Sequence, residues 1–172
     1  FIRTVFSLMP DYHNSEHLIL DGYNLIHAMP EFKRALKVHG ITAVRERFQE
    51  AMACLHDPGR VRLTIVYDGQ GGKIEVDQPI PDDPGYAIVY SPSGVSADEV
   101  IERLVANAET PERILVATRD NAIAQTFAAS GAFSITPEEL LERLDRVTSG
   151  DLRALAETRR KNRSKWNLNP FQ

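Results

Sequence analysis

The chain has 172 residues, 42% of them hydrophobic, one cysteine and a formal net charge of −4. That length suits one domain able to bury a core without disulfides or a structural metal, and the lone Cys54 points to a reducing, cytoplasmic compartment. No apolar run reaches the ~18 residues of a membrane span, Phe1–Pro10 is too short and interrupted for a signal peptide, and the acidic balance argues against capture of nucleic acid by the whole surface.

Residues 1–17 read as a polar, irregular lead-in. Short apolar runs follow at Leu18-Ile19-Leu20, Val61 to Tyr67, Ala87 to Tyr90, Ile114 to Thr118 and, more weakly, Ala132 to Ile135. Continuous runs of this length suit strands buried on both faces, hence a parallel sheet. Between them lie helical signals. Val44, Phe48, Ala51 and Leu55 recur at helical spacing. Ser96-Ala97-Asp98-Glu99 and Thr136-Pro137-Glu138-Glu139 are capping-box patterns, the first followed by Val100, Ile101, Leu104 and Val105, the second by Leu140, Leu141 and Leu144. Ala122 to Ala129 reads as a helix closed by Gly131, and Asp151 to Lys165 as a last, polar helix. Gly69–Gly85, rich in Gly and Pro, reads as a loop. The alternation predicts an α/β domain over residues 18–150, with residues 151–172 as a basic C-terminal helix or tail.

Acidic residues stand at the ends of the runs. Asp21 and Asp68 directly follow the first and second, Asp98 opens the helix after the third, and Asp120 lies two residues past the fourth. In an open parallel sheet the ligand crevice lies beyond the carboxyl ends of the strands, so four distant carboxylates can converge there. Clustered carboxylates repel one another unless a cation joins them. An all-oxygen set suits Mg2+ or Mn2+, and the lack of Cys or His at ligand spacing argues against zinc. Each acid also has a plain structural role: Asp98 at a helix dipole, Asp120 as an N-cap, and Asp21 and Asp68 as turn formers before glycine.

The ordered segments Leu20-Asp21-Gly22-Tyr23-Asn24-Leu25-Ile26, Val66-Tyr67-Asp68, Ser96 to Glu102 and Ala117-Thr118-Arg119-Asp120 resemble the YacP-like NYN family of PIN-like nucleases. The resemblance extends from about Leu18 to the basic tail. It implies a three-layer PIN-like fold with sheet order 3-2-1-4-5, divalent metal at the carboxyl edge, and endoribonuclease activity on RNA, free or ribosome-borne. Carried over by position, Asp21, Asp98 and Asp120 are the expected metal ligands, Asp68 an assisting acid, and Asn24 a group that orients water or phosphate or braces a turn.

The tail adds Arg159, Arg160, Lys161, Arg163 and Lys165 next to Trp166. Cations neutralise phosphates and an indole stacks on an unpaired base, so these six are expected to bind RNA, with a Trp anchor folded onto the domain as the structural alternative. The second functional reading is an RNA-binding module whose nuclease pocket is weak or inactive. A phosphatase of the aspartyl-phosphate type fits less well, because Asp21 is followed by Gly22 and Tyr23 rather than a second acid.

Overall fold

Leu18, Ile19 and Leu20 are fully buried one after another, so the strand they form, β1 (Glu16–Asp21), is covered on both faces. The computed structural model describes residues 12–166, with side chains as far as Lys161. Residues 1–11 of the expected lead-in lie outside the described residues.

β1 pairs in parallel with β2 (Val61–Gly71) on one side and β5 (Ile114–Ala117) on the other. β4 (Tyr86–Pro92) adds to β2 and β6 (Phe133–Ile135) to β5, again in parallel. The five expected strands therefore stand in the expected order, β4-β2-β1-β5-β6. Gly69–Gly85 is not all loop, however. β2 continues through Asp68-Gly69 to Gly71, and a short strand β3 (Glu75–Asp77) pairs antiparallel to β4 at the sheet edge. All three residues of β3 are exposed, so no apolar run marks it in the sequence. Backbone pairing with β4 makes the strand.

Two cores flank the sheet. On one side α1 (Gly22–Ala28), α2 (Pro30–Ala53) and α5 (Pro137–Trp166) cover Leu18, Leu20, Leu63, Ile65 and Tyr67 with Leu25, Ile26, Phe48, Met52 and Leu140. On the other, α3 (Ala97–Ala106) and α4 (Asn121–Ala129) cover Ile19, Val66, Val89 and Val116 with Val100, Ile101, Val105 and Phe127. Each large side chain so buried contributes about 1.5–3 kcal/mol. The period of two along β1 and β2 thus assigns alternate residues to opposite layers.

The apolar spacing from Val44 to Leu55 covers only the second half of α2 and runs past its end at Ala53; the helix is broken at Gly40, where φ is 76° and ψ 170°. That left-handed value favours glycine. α3 begins at Ser96, whose hydroxyl accepts from the Glu99 N–H at 3.2 Å. Thr136 and Glu139 cap α5 reciprocally, at 2.7 and 3.2 Å. The polar helix expected over Asp151–Lys165 is not separate; it continues α5. Leu141, Leu144 and Val147 of that helix pack on the core, whereas Leu152 and Leu155 are 63% and 57% exposed. Among the described residues no helix is long and apolar enough to cross a membrane.

Candidate active site

The chain turns from β1 straight into α1, and Asp21 is the cap: its carboxylate accepts from the Asn24 N–H at 3.4 Å. Gly22 makes the turn possible, because a Cβ there would lie 2.2 Å from the Tyr67 ring. Asp21 is registered with Val66, so Asp68 stands two residues further along the neighbouring strand. Ile19 and Val66 face the α3/α4 layer, and by alternation Asp21 and Asp68 face the same way. α3 starts on that side. The Asp68 carboxylate accepts from the Ala97 N–H at 2.8 Å, which ties the end of β2 to the first residue of α3 and sets Asp98 beside Asp21.

Asp21 is 5% exposed. Burial, then the charge of Asp98 and a hydrogen bond shared with it, then the charge of Asp68 push the Asp21 carboxyl up to about 7, against the opposing pull of the Asn24 N–H. Asp98 Oδ1 is buried without a hydrogen-bond partner among the described residues. An orphaned buried oxygen beside a second carboxylate is costly in an isolated protein.

Asp120 stands apart from this group. Leu20 is registered with Ala117, which puts Asp120 at the adjacent strand end. It is exposed, and its Oδ1 caps α4 by accepting from Ala122 N–H at 2.8 Å and Ile123 N–H at 3.4 Å. The buried Thr118 hydroxyl accepts from the Asp120 N–H at 3.1 Å, so Thr118 fixes the turn carrying Asp120. Asn24 does not brace its own turn. Its Oδ1 accepts from the Arg119 N–H at 3.3 Å, joining α1 to the β5–α4 turn.

The structure thus brings Asp21, Asp68 and Asp98 together, with Asn24 in the first turn of α1 and Asp120 at the cap of α4 beside them. Among the described residues, no three Asp, Glu, His or Cys side chains are set in a metal-holding geometry. The donor chemistry nevertheless fits a hard divalent cation: the groups are carboxylates, and one buried oxygen lacks a partner.

Of the expected RNA-binding residues, Arg159, Arg160 and Lys161 are exposed on α5. The helix backbone continues through Arg163, Lys165 and Trp166, whose side chains lie outside the described residues. The sequence reading passes over Arg45 of α2, which donates to the Tyr23 hydroxyl at 3.2 Å and lies over the Tyr90 ring, 5.6 Å from its centroid. Tyr67 packs between them, with centroids 4.8 Å from Tyr23 and 5.6 Å from Tyr90. The signal available was the aromatic residue beside each site motif: Tyr23 after Asp21-Gly22, and Tyr67 before Asp68.

Comparison with known proteins identifies the domain. The model of the YacP-like NYN domain matches residues 18–171. The crystal structure of Rae1 (YacP) from Bacillus subtilis superposes with a TM-score of 0.65 at 26% identity, covering 89% of this chain and 87% of that one. A tryptophan-to-leucine mutant of the same protein gives 0.65 at 25% identity, over 83% and 82%. No curated protein sequence matches significantly. The chain belongs to the YacP-like NYN domain family, within the PIN-like nucleases.

Proposed function

We propose that this protein is a cytoplasmic, divalent-metal-dependent endoribonuclease that hydrolyses phosphodiester bonds in RNA at the carboxyl edge of its sheet. The observation that carries the reading is the buried Asp21 beside the half-buried Asp98, whose Oδ1 is enclosed without a partner, because a cation is worth most where carboxylates are desolvated and close together. The choice of RNA over DNA rests on membership of a nuclease family whose solved members superpose on this chain.

In this reading Asp21, Asp98 and Asp120 hold Mg2+ or Mn2+. A divalent cation bound there supplies positive charge to the phosphodiester and lowers the pKa of an attacking water. Asp68 acts through α3: its bond to the Ala97 N–H keeps Asp98 at the site. Asn24 acts on the neighbouring turn, where its bond to Arg119 holds the Asp120 segment against α1. With the Asp21 carboxyl pushed up to about 7, it is partly protonated at physiological pH, so cation binding there displaces that proton to solvent. The exposed Arg159, Arg160 and Lys161, followed in sequence by Arg163, Lys165 and Trp166, supply a basic arm for the RNA backbone.

The test is incubation of the purified protein with a single-stranded RNA and a DNA of the same sequence, with and without Mn2+. Internal cutting of RNA only with the cation is expected. Equal cutting of DNA, or cutting undiminished by chelation, would contradict the proposal.

A further inference from the structure

Arg45 is half-buried, yet among the described residues no carboxylate pairs with it, and its one hydrogen bond there goes to the neutral Tyr23 hydroxyl. A guanidinium has five N–H donors in a rigid fork, and a partly desolvated cation without a counter-ion is unfavourable. In a protein of net charge −4 a carboxylate partner would be easy to supply. Instead three tyrosine rings surround the position. Tyr90 lies under the guanidinium, Tyr23 fixes one of its nitrogens, and Tyr67 packs against both rings. Cation–π contact and the tyrosine hydroxyl hold the guanidinium in place without neutralising it.

The place of this group in the fold matters as much as its chemistry. Tyr23 is two residues beyond Asp21, and Tyr67 immediately precedes Asp68. Tyr67 is part of the core on the α1/α2 side of the sheet, with Tyr23 and Tyr90 packed against that core, whereas Asp21 and Asp68 face the α3/α4 side by strand alternation. Arg45 therefore stands across the crest of the same sheet edge from the carboxylates. A strand crossing that crest would pass from one group to the other.

We infer that Arg45 is a phosphate clamp for single-stranded RNA, taking a phosphodiester on the opposite side of that crest from the carboxylates, with Tyr23 and Tyr90 as the positioning residues that aim its guanidinium. This rests on the nuclease reading and adds a subsite to it. The clamp grips the chain by its backbone, so it contributes equally for different base sequences. It also gives an acidic pocket a means of holding a polyanion before cleavage, independent of the basic helix.

The test uses the full chain carrying Asp98→Asn, so that binding is read without cutting, and measures the Kd for a single-stranded RNA across a range of salt. Arg45→Gln in that background is expected to raise Kd on the order of 10- to 100-fold and to reduce the salt slope by about 0.7, the amount for one phosphate contact on a single strand. Tyr23→Phe keeps the charge but frees it. It is expected to weaken binding less and to leave the salt slope near that of the parent, which loss of folding would not do. An unchanged Kd and slope in a folded Arg45→Gln protein would overturn the clamp while leaving the nuclease reading intact. Failure of the Asp98→Asn parent and the wild type alike to bind or cut single-stranded RNA would overturn both.

Discussion

Replacing Asp21 by Asn should stabilise the metal-free protein while abolishing its activity. The substitution keeps the shape of the side chain and an oxygen able to cap α1, since Asn and Asp cap about equally well. It removes a charge that burial, Asp98 and Asp68 together disfavour. The Asp21 carboxyl moves from 3.8 to about 7 on folding, and at 1.36 kcal/mol per pH unit that amounts to about 4 kcal/mol of native-state penalty above both values. Because the folded pKa is the higher one, the native state holds a proton that the unfolded chain releases between about pH 4 and 7. The penalty is therefore complete above pH 7 and relieved as pH falls. The variant should gain on the order of 2–4 kcal/mol over wild type at pH 8, shrinking to about 1 kcal/mol by pH 4.5. Urea unfolding of both proteins at the two pH values, with chelator present, measures this, and titrations remote from the site cancel in the difference. Mn2+ should then narrow the gap at pH 8 by stabilising wild type alone. A variant less stable than wild type at pH 8, or a gain independent of pH, would refute the electrostatic account of the site.

Gly22→Ala would drive a methyl group into the Tyr67 ring at 2.2 Å, so a loss of about 1–3 kcal/mol is expected in chemical denaturation; an unchanged midpoint would show that the ring yields freely. His17 bonds to the Thr64 hydroxyl at 2.8 Å, and burial together with Arg62 pushes it down to about 3. Its stabilising share is full above about pH 6.5 and is lost as pH falls, by about 2 kcal/mol at pH 5. His17→Gln should accordingly lose less stability than wild type between pH 7 and 5, and equal losses would remove this role. Truncation after Leu155 should weaken RNA binding and flatten its salt dependence, whereas an unaltered affinity and slope would take the basic helix out of the interface.

The middle of the sheet was legible because its strands are buried on both faces. Leu18 to Leu20 and Ile114 to Ala117 need no alternation when helices cover each side, and such runs stand out in a sequence. The capping boxes at Ser96 and Thr136 were legible for a local reason, since each requires only residues three apart. β3 was not, because Glu75-Val76-Asp77 owes its conformation to pairing with β4 rather than to its own composition. The continuity of α5 past Gly150 was equally hidden, a lone glycine being a weak helix breaker. At the site, the strand-end pattern pointed to four converging carboxylates; Asp21, Asp68 and Asp98 do meet, whereas Asp120 stays exposed as a helix cap. The pattern did not foretell that Asp68 accepts from the Ala97 N–H or that Asn24 reaches Arg119, 95 residues away. Arg45 escaped because it lies 22 residues from Tyr23 in a helix whose sequence pattern advertises only its apolar face.

The most direct trial of the central claim compares wild type with Asp98→Asn on one single-stranded RNA, measuring cleavage in Mn2+ and binding in chelator. The account predicts internal, cation-dependent cleavage by wild type, loss of that cleavage in Asp98→Asn by at least 100-fold or so, and RNA affinity within a few-fold of wild type. Cleavage that survives Asp98→Asn would contradict the assignment of the aspartate cluster as the catalytic centre.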